Sequence, residues 1–227
     1  LWVDLESPTE EEVRSFLETP FHFHTLSIQD CLTEDMSPKV EEFLPRDEDS
    51  FMQYIFMAVQ AVDNTDDELW FESSRLNMFL GKRFVVTWRN RPLKSMAELA
   101  RKYQARGAFI GRAPDRVAYQ ILDAVCDSYK PALDEIVREI SELEEQVLNQ
   151  PSQETLNRIM QIKKGVRDFQ ATILPQRDLL LRFARGEFKL IRTKLVPYYR
   201  DVYDELNHTA EMAKSCSDSL TGLLQVY

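Results

Sequence analysis

The sequence predicts an α/β domain, a mixed sheet with flanking helices, followed by long antiparallel or stalk helices. Aromatic and β-branched runs are confined to the first hundred residues, where they alternate with short amphipathic stretches. Beyond them, apolar residues recur at steps of three and four almost without interruption, the period of one helix face. Only six glycines in 227 residues leave little material for elaborate loops. The expected division is 1–112 for the α/β part and 113–227 for the long helices, the last of which would lead on as a stalk.

"LWVDLESPTEEEVRSFLE" reads as a strand running into a helix, with Ser7 as N-cap, Pro8 at the first helical position and Glu10 closing a capping box. A short helix follows around Leu26 to Thr33. "PKVEEFLPRDEDS" has the acid and proline of an edge strand leading to a loop. "FMQYIFMAVQAV" is a strand by composition, and "WFESSRLNMFLGKRFVVTWR" places two strand-like runs around Gly81 and Lys82 as a hairpin. After "GAFIGRAPD" a helix is expected from Val117 to Leu148, with a stripe at Leu133, Val137, Ile140, Leu143 or Glu144, and Val147, and a kink at Pro131. A second helix is expected from Ser152 to Phe183, past the "LNQPS" break, and a third from Phe188 to the end.

The third helix carries a heptad seam: Leu195, Tyr199, Val202, Leu206, Thr209, Ala213, Cys216, Leu220, Leu223 and Tyr227. If continuous from Phe188 it would span about 60 Å. The pattern serves equally for packing on the chain's own preceding helices and for self-association. Asp201, Asp204, Glu205, His208, Glu211 and Asp218 lie off the seam on an acidic flank.

With 44% hydrophobic and 29% charged residues the chain can bury a core and is not a disordered polymer. Its net charge of −10 argues against a sequence-independent grip on nucleic acid, which needs clustered Lys and Arg; cations are the better-matched partner. Cys31, Cys126 and Cys216 are far apart and in no C-x-x-C pattern, so neither a disulfide framework nor a zinc knuckle is indicated, and a reducing cytosol fits. The Leu1 start, the lack of a signal peptide and the lack of about 18 consecutive apolar residues read as a soluble fragment.

Standard catalytic motifs are absent from the sequence, with no G-x-S-x-G, H-E-x-x-H or phosphate loop, so an enzyme is not expected. "FHFH" at 21–24 has no third ligand nearby, and packing or capping is its expected role. What remains is acid: Asp30 after a short helix, Asp123 and Asp127 one turn apart in "LDAVCD", and Asp201 with Asp204 in "VPYYRDVYDEL". Carboxylates three or four apart share a helix face, and hard oxygens suit Mg²⁺ or Ca²⁺. Spacing alone leaves solvation as the ordinary alternative.

"HTLSIQDCLTEDMSPKVEEF", "LDAVCDSYKPALDEIVREISELEEQVL", "PQRDLL", "VPYYRDVYDEL" and "LTGLLQVY" resemble, in order and spacing, the cytoplasmic part of the CorA family of magnesium transport proteins over almost the whole chain. The resemblance implies an α/β sandwich, long helices and a stalk continuing into the membrane of a homopentamer. The pore segments and the Gly-Met-Asn entrance signature would follow Tyr227, and further strands would precede "WVDL". In that family divalent cations bind between subunits through carboxylates and keep the channel closed when Mg²⁺ is plentiful. The implied ion is Mg²⁺, with Co²⁺, Ni²⁺ or Ca²⁺ as substitutes in vitro; the implied place is the cytoplasmic face of the inner membrane.

The family's sensor aspartates fall on Asp30, Asp123 and Asp201, with Asp127 and Gln29 as secondary candidates. Gln29 stands where a family sensor carries an acid, so a second metal site there is expected to be weaker or absent. "ELNHTAEMAKSCSDS" departs from the commoner stalk text, and Gln225 stands where Asp is frequent. Two rival readings are a ZntB-like zinc transporter domain, expected to lack this aspartate set, and a helical scaffold that senses nothing.

Overall fold

Five strands form one sheet in the order β1-β5-β4-β3-β2: β1 (Trp2–Glu6), β2 (Lys39–Phe43), β3 (Tyr54–Asp63), β4 (Glu72–Gly81) and β5 (Val85–Arg89). Only β1 and β5 run parallel; the other pairs are antiparallel, so the expected mixed sheet is found. The helices are α1 (Glu10–Glu18), α2 (Thr25–Leu32), α3 (Lys94–Arg106), α4 (Pro114–Asp127), α5 (Tyr129–Asn149), α6 (Gln153–Ala184) and α7 (Val196–Val226). The computed structural model describes residues 1–33, 37–46, 49–63, 72–106, 113–149 and 152–226. The "GAFIG" stretch, the centre of the "LNQPS" break and Tyr227 of the seam lie outside them.

Alternation along β3 and β4 decides what each sheet face meets. Ile55, Met57, Val59, Leu76, Met78 and Leu80 join a large core with α3 to α7, while Tyr54, Phe56, Ala58 and Phe79 join an aromatic core with α1 and α2. In the second core Phe23 stacks on Phe79 at 4.3 Å between ring centres. His24 is the N-cap of α2, its Nδ1 accepting from the Leu26 amide at 3.2 Å. Capping therefore accounts for His24 of the "FHFH" pair. Gly81 ends β4 where the Phe84 ring lies against it, leaving no room for a Cβ.

Three expectations need correction. The N-cap of α1 is Thr9, with Glu12 closing the box, rather than Ser7 with Glu10. Ser7 instead turns the chain out of β1 at φ 50°, its hydroxyl donating to the Asn90 carbonyl at 2.9 Å, so the helix starts two residues later. The long helix after residue 113 is two helices parted at Ser128 rather than one kinked at Pro131. Pro131 cannot donate to the Asp127 carbonyl and its ring collides with it, which places the break one turn upstream of the proline. The last helix begins at Val196, after a 3-10 turn over Thr193–Leu195, not at Phe188. Pro197 suits a first turn and would obstruct anything longer, so the 31 residues of α7 span about 46 Å.

The seam is buried within the chain. Tyr199, Val202, Leu206, Ala213, Cys216 and Leu220 all lie in the large core, where α7 packs on α6 and α5. The face open to solvent carries Asp201, Asp204, Glu205, Glu211 and Asp218. In α5 the buried stripe includes Leu133, Ile136, Ile140, Leu143 and Val147; Leu143, not Glu144, fills the alternative position, and Val137 is only half-buried.

Strand β2 pairs with β3 only as far as Ala58. Past that point helical side chains take over the outer edge of β3. The Gln60 amide donates to Gln176 Oε1 at 2.9 Å, Gln176 Nε2 donates back to the Gln60 carbonyl at 3.3 Å, and the Val62 amide donates to Ser128 Oγ at 3.2 Å. The buried Tyr129 hydroxyl also donates to the Gln60 carbonyl.

Candidate metal centre

Asp30 occupies the last turn of α2, in the layer behind the aromatic core. Its Oδ2 accepts from Lys39 Nζ at 2.6 Å, and the same ammonium lies 3.1 Å from Glu41 on β2. Arg75 on β4 donates to the Asp30 backbone carbonyl at 2.9 Å and to Asn77 Oδ1 at 3.0 Å. Asp30 is thus fixed between two cationic side chains. Gln29 beside it is exposed.

Asp123 and Asp201 lie in the layer on the other face of the sheet, on α4 and α7. The fold brings Asp123, Asp127, Asp201 and Glu205 into one patch, where the last three add to the negative field at Asp123. Within it Lys130 Nζ lies 3.0 Å from both Asp127 and Glu205, and Lys94 and Lys102 line a cleft shared with Asp127. Asp201 and Asp127 are exposed, while Asp123 is half-buried. Tyr119 stands one turn before Asp123, its ring 5.6 Å from those of Tyr198 and Tyr199. Asp204 instead shares a shallow cleft with Arg185 and Arg200.

Burial first, then the charges of Asp127 and Glu205, raise the Asp123 carboxyl above the ordinary value of 3.8, while the Tyr119 hydroxyl works the other way. Burial and Asp123 in turn push Tyr119 up to about 12. Protonated Asp123 is therefore favoured by folding. That advantage is complete below the unfolded value and is lost as pH rises through the raised folded one. At neutral pH the charge is a net cost, so Asp123→Asn is expected to raise the melting temperature without metal by about 1–3 °C. The gain should shrink as pH falls toward 4; a gain that grows on acidification, or none at pH 7, would contradict this account of the patch.

Among the described residues no three His, Cys, Asp or Glu side chains close into a cage for an ion. The excess of unneutralised carboxylate on the α4–α7 patch nonetheless fits a hard cation, because oxygen donors and negative field are what Mg²⁺ requires. Both candidate stretches also border exposed apolar side chains. Leu26, one turn before Asp30, is 57% exposed, and Tyr198, one turn before Asp201, is 54% exposed. Periodicity could locate the Asp123–Asp127 pair, but no local signal linked Asp30 to Lys39, nine positions away on another element, or Lys130 to Glu205.

The family model described as "CorA-like Mg2+ transporter protein" matches residues 1–227, the full length of the chain. A curated relative, the cobalt/magnesium transport protein CorA of Thermotoga maritima, is 29% identical over the entire chain, which spans 62% of that relative's length. The solved soluble domain of CorA from Methanocaldococcus jannaschii superposes with a TM-score of 0.81 at 20% identity, covering 99% of this chain and 86% of that one. The cytoplasmic domain of ZntB from Vibrio parahaemolyticus gives a TM-score of 0.78 at 16% identity, covering 99% and 84%. At those identities the two structures show a shared fold.

Proposed function

This chain belongs to the CorA-like Mg2+ transporter family, and from that premise we propose that it is the cytoplasmic regulatory part of a divalent-cation channel. In this reading Asp30 of one subunit and Asp201 of its neighbour hold Mg²⁺ in the closed state of a homopentamer, with Asp123 as a further acid of the site. The part spanning 1–112 then supplies one half of each site and the part spanning 113–227 the other. The observation that carries it is the placement of these aspartates on opposite layers of one chain, each beside an exposed apolar residue. In this reading another copy of the chain completes each half. A divalent ion between carboxylates of two subunits turns their repulsion into a bridge.

No helix among the described residues is long and apolar enough to cross a membrane. In this proposal attachment to the cytoplasmic face of the inner membrane belongs to parts of the protein outside these 227 residues. Without that tether the subunits' effective concentration falls, so the 227-residue chain alone should associate only weakly. The ZntB-like fold supports zinc transport as a second reading, which metal uptake by the membrane-embedded protein distinguishes.

The test is a thermal melt of an oligomeric sample with and without millimolar Mg²⁺. An ion that binds only the assembled state at ten times its dissociation constant stabilises it by about 1.4 kcal/mol. Asp201→Ala should abolish most of the shift, Asp204→Ala should leave it intact, and Gln29→Glu should enlarge it by restoring a charge. Full Mg²⁺ protection of an Asp30→Ala, Asp201→Ala double variant, shown to be oligomeric, would sink the intersubunit site, and an oligomeric parent with no Mg²⁺-dependent shift would favour the scaffold reading.

A further inference from the structure

The two halves of the proposed site differ in how they are neutralised. On the α4–α7 half, three further carboxylates gather around Asp123, and Lys130 is engaged by Asp127 and Glu205 rather than by Asp123 or Asp201. On the α2 half, Asp30 and Glu41 face Lys39, with the Arg75 guanidinium bonded to the Asp30 carbonyl. Among the described residues the groups in contact there are two carboxylates, Asp30 and Glu41, and two cations, Lys39 and Arg75. The ammonium of Lys39 already sits where a cation binding Asp30 would compete for the carboxylate.

We propose that Lys39 sets the Mg²⁺ threshold of the protein: its ammonium is an internal counter-ion that a divalent cation must displace from Asp30. The inference rests on the assignment of Asp30 and Asp201 as ligands. A lysine at 2.6 Å from a carboxylate oxygen cannot share that oxygen with a dehydrated divalent ion without two cations meeting at repulsive range. Direct coordination through that oxygen therefore requires Lys39 to swing away toward Glu41 or solvent. Lys39 can do so because its side chain is 37% exposed and hangs on a flexible stem, whereas Asp30 is held by α2 and by Arg75. Glu41 is the resting place for the displaced ammonium. The ion concentration at which the site fills then depends on the Lys39–Asp30 pair as well as on the ligands.

Three variants move that threshold in set directions. Lys39→Met keeps the stem, removes the competitor and should lower the Mg²⁺ concentration for half-maximal stabilisation by roughly two- to fivefold, the range for a part-exposed pair. Lys39→Arg keeps the charge and should stay closer to the parent than Lys39→Met does. Glu41→Gln deprives the displaced ammonium of its resting place and should raise the midpoint. Lys189→Met, the same change of net charge elsewhere, controls for general electrostatics.

The experiment titrates the assembled protein with MgCl₂ at fixed ionic strength, reading the melting temperature at each concentration, with metal-free melts showing that each variant is folded. Opposite shifts for Lys39→Met and Glu41→Gln, with Lys189→Met unchanged, are the expected result. A Lys39→Met midpoint equal to the parent's or to that of Lys189→Met, while Asp30→Ala abolishes the response, would overturn the role of Lys39 and spare the site. A response that survives Asp30→Ala would overturn both.

Discussion

Leu206→Asp should destabilise the chain by roughly 4 kcal/mol or more, whereas Asp204→Ala, two positions away, should change stability by less than about 0.5 kcal/mol. Leu206 is 1% exposed in the large core, at the centre of the α7 seam where α6 and α5 close over it. The substitution removes a leucine's apolar contacts and puts a carboxylate among buried apolar side chains, so lost transfer energy and the cost of a desolvated charge act together. Asp204 is exposed on the opposite flank. Urea unfolding followed by circular dichroism measures both. Equal midpoints would mean that Leu206 does not face the helices the fold places around it.

The second large effect is expected at the β1–β5 junction. Arg89 is 3% exposed, and its guanidinium donates to Asp4 and Glu6 on the neighbouring strand. Asp4 also accepts from Thr87 Oγ1 at 2.7 Å. Asp4→Ala strands most of that buried charge, leaving only half-exposed Glu6 to answer it, and should cost roughly 2–3 kcal/mol. Adding Arg89→Met removes the stranded charge itself. The double variant should therefore be less destabilised than the sum of the two single variants, with a coupling above about 0.5 kcal/mol. Additive costs would show that the guanidinium finds adequate solvation without Asp4.

Much of the architecture was legible because period and composition change together along the chain. The α7 seam, the Ser152 cap of α6 and the strands "FMQYIFMAVQAV" and "FVVTW" each repeat one physical preference over many residues. The misplacements arose where two local signals overlap. "SPTEEE" offers two capping boxes in tandem, and the hydrogen bond from Ser7 to Asn90, eighty-three positions away, selects the second. Pro131 announces a disturbance, but the clash it causes falls on the carbonyl four residues earlier. For the metal centre, Asp123 and Asp127 share a helix face and so could be read as a pair. Lys39 against Asp30, and Glu205 against Lys130, are meetings between elements that no periodicity encodes. Whether an aspartate is open to an ion depends on those partners as much as on the aspartate.

Strand β3 is ten residues long, rich in apolar residues, and outruns the short strand β2 beside it. A bare edge of that composition is a template for another extended segment and a nucleus for aggregation. Gln176 and Ser128 occupy its amide positions at Gln60 and Val62, acting as an imitation sixth strand that cannot be extended. The helical layer therefore protects the sheet as well as stabilising it, and the two roles come apart when α6 undocks before the sheet melts. Such a species would present an intact, sticky edge, so variants that loosen α6 should form aggregates out of proportion to their loss of stability, while equally destabilising changes at α1 should not.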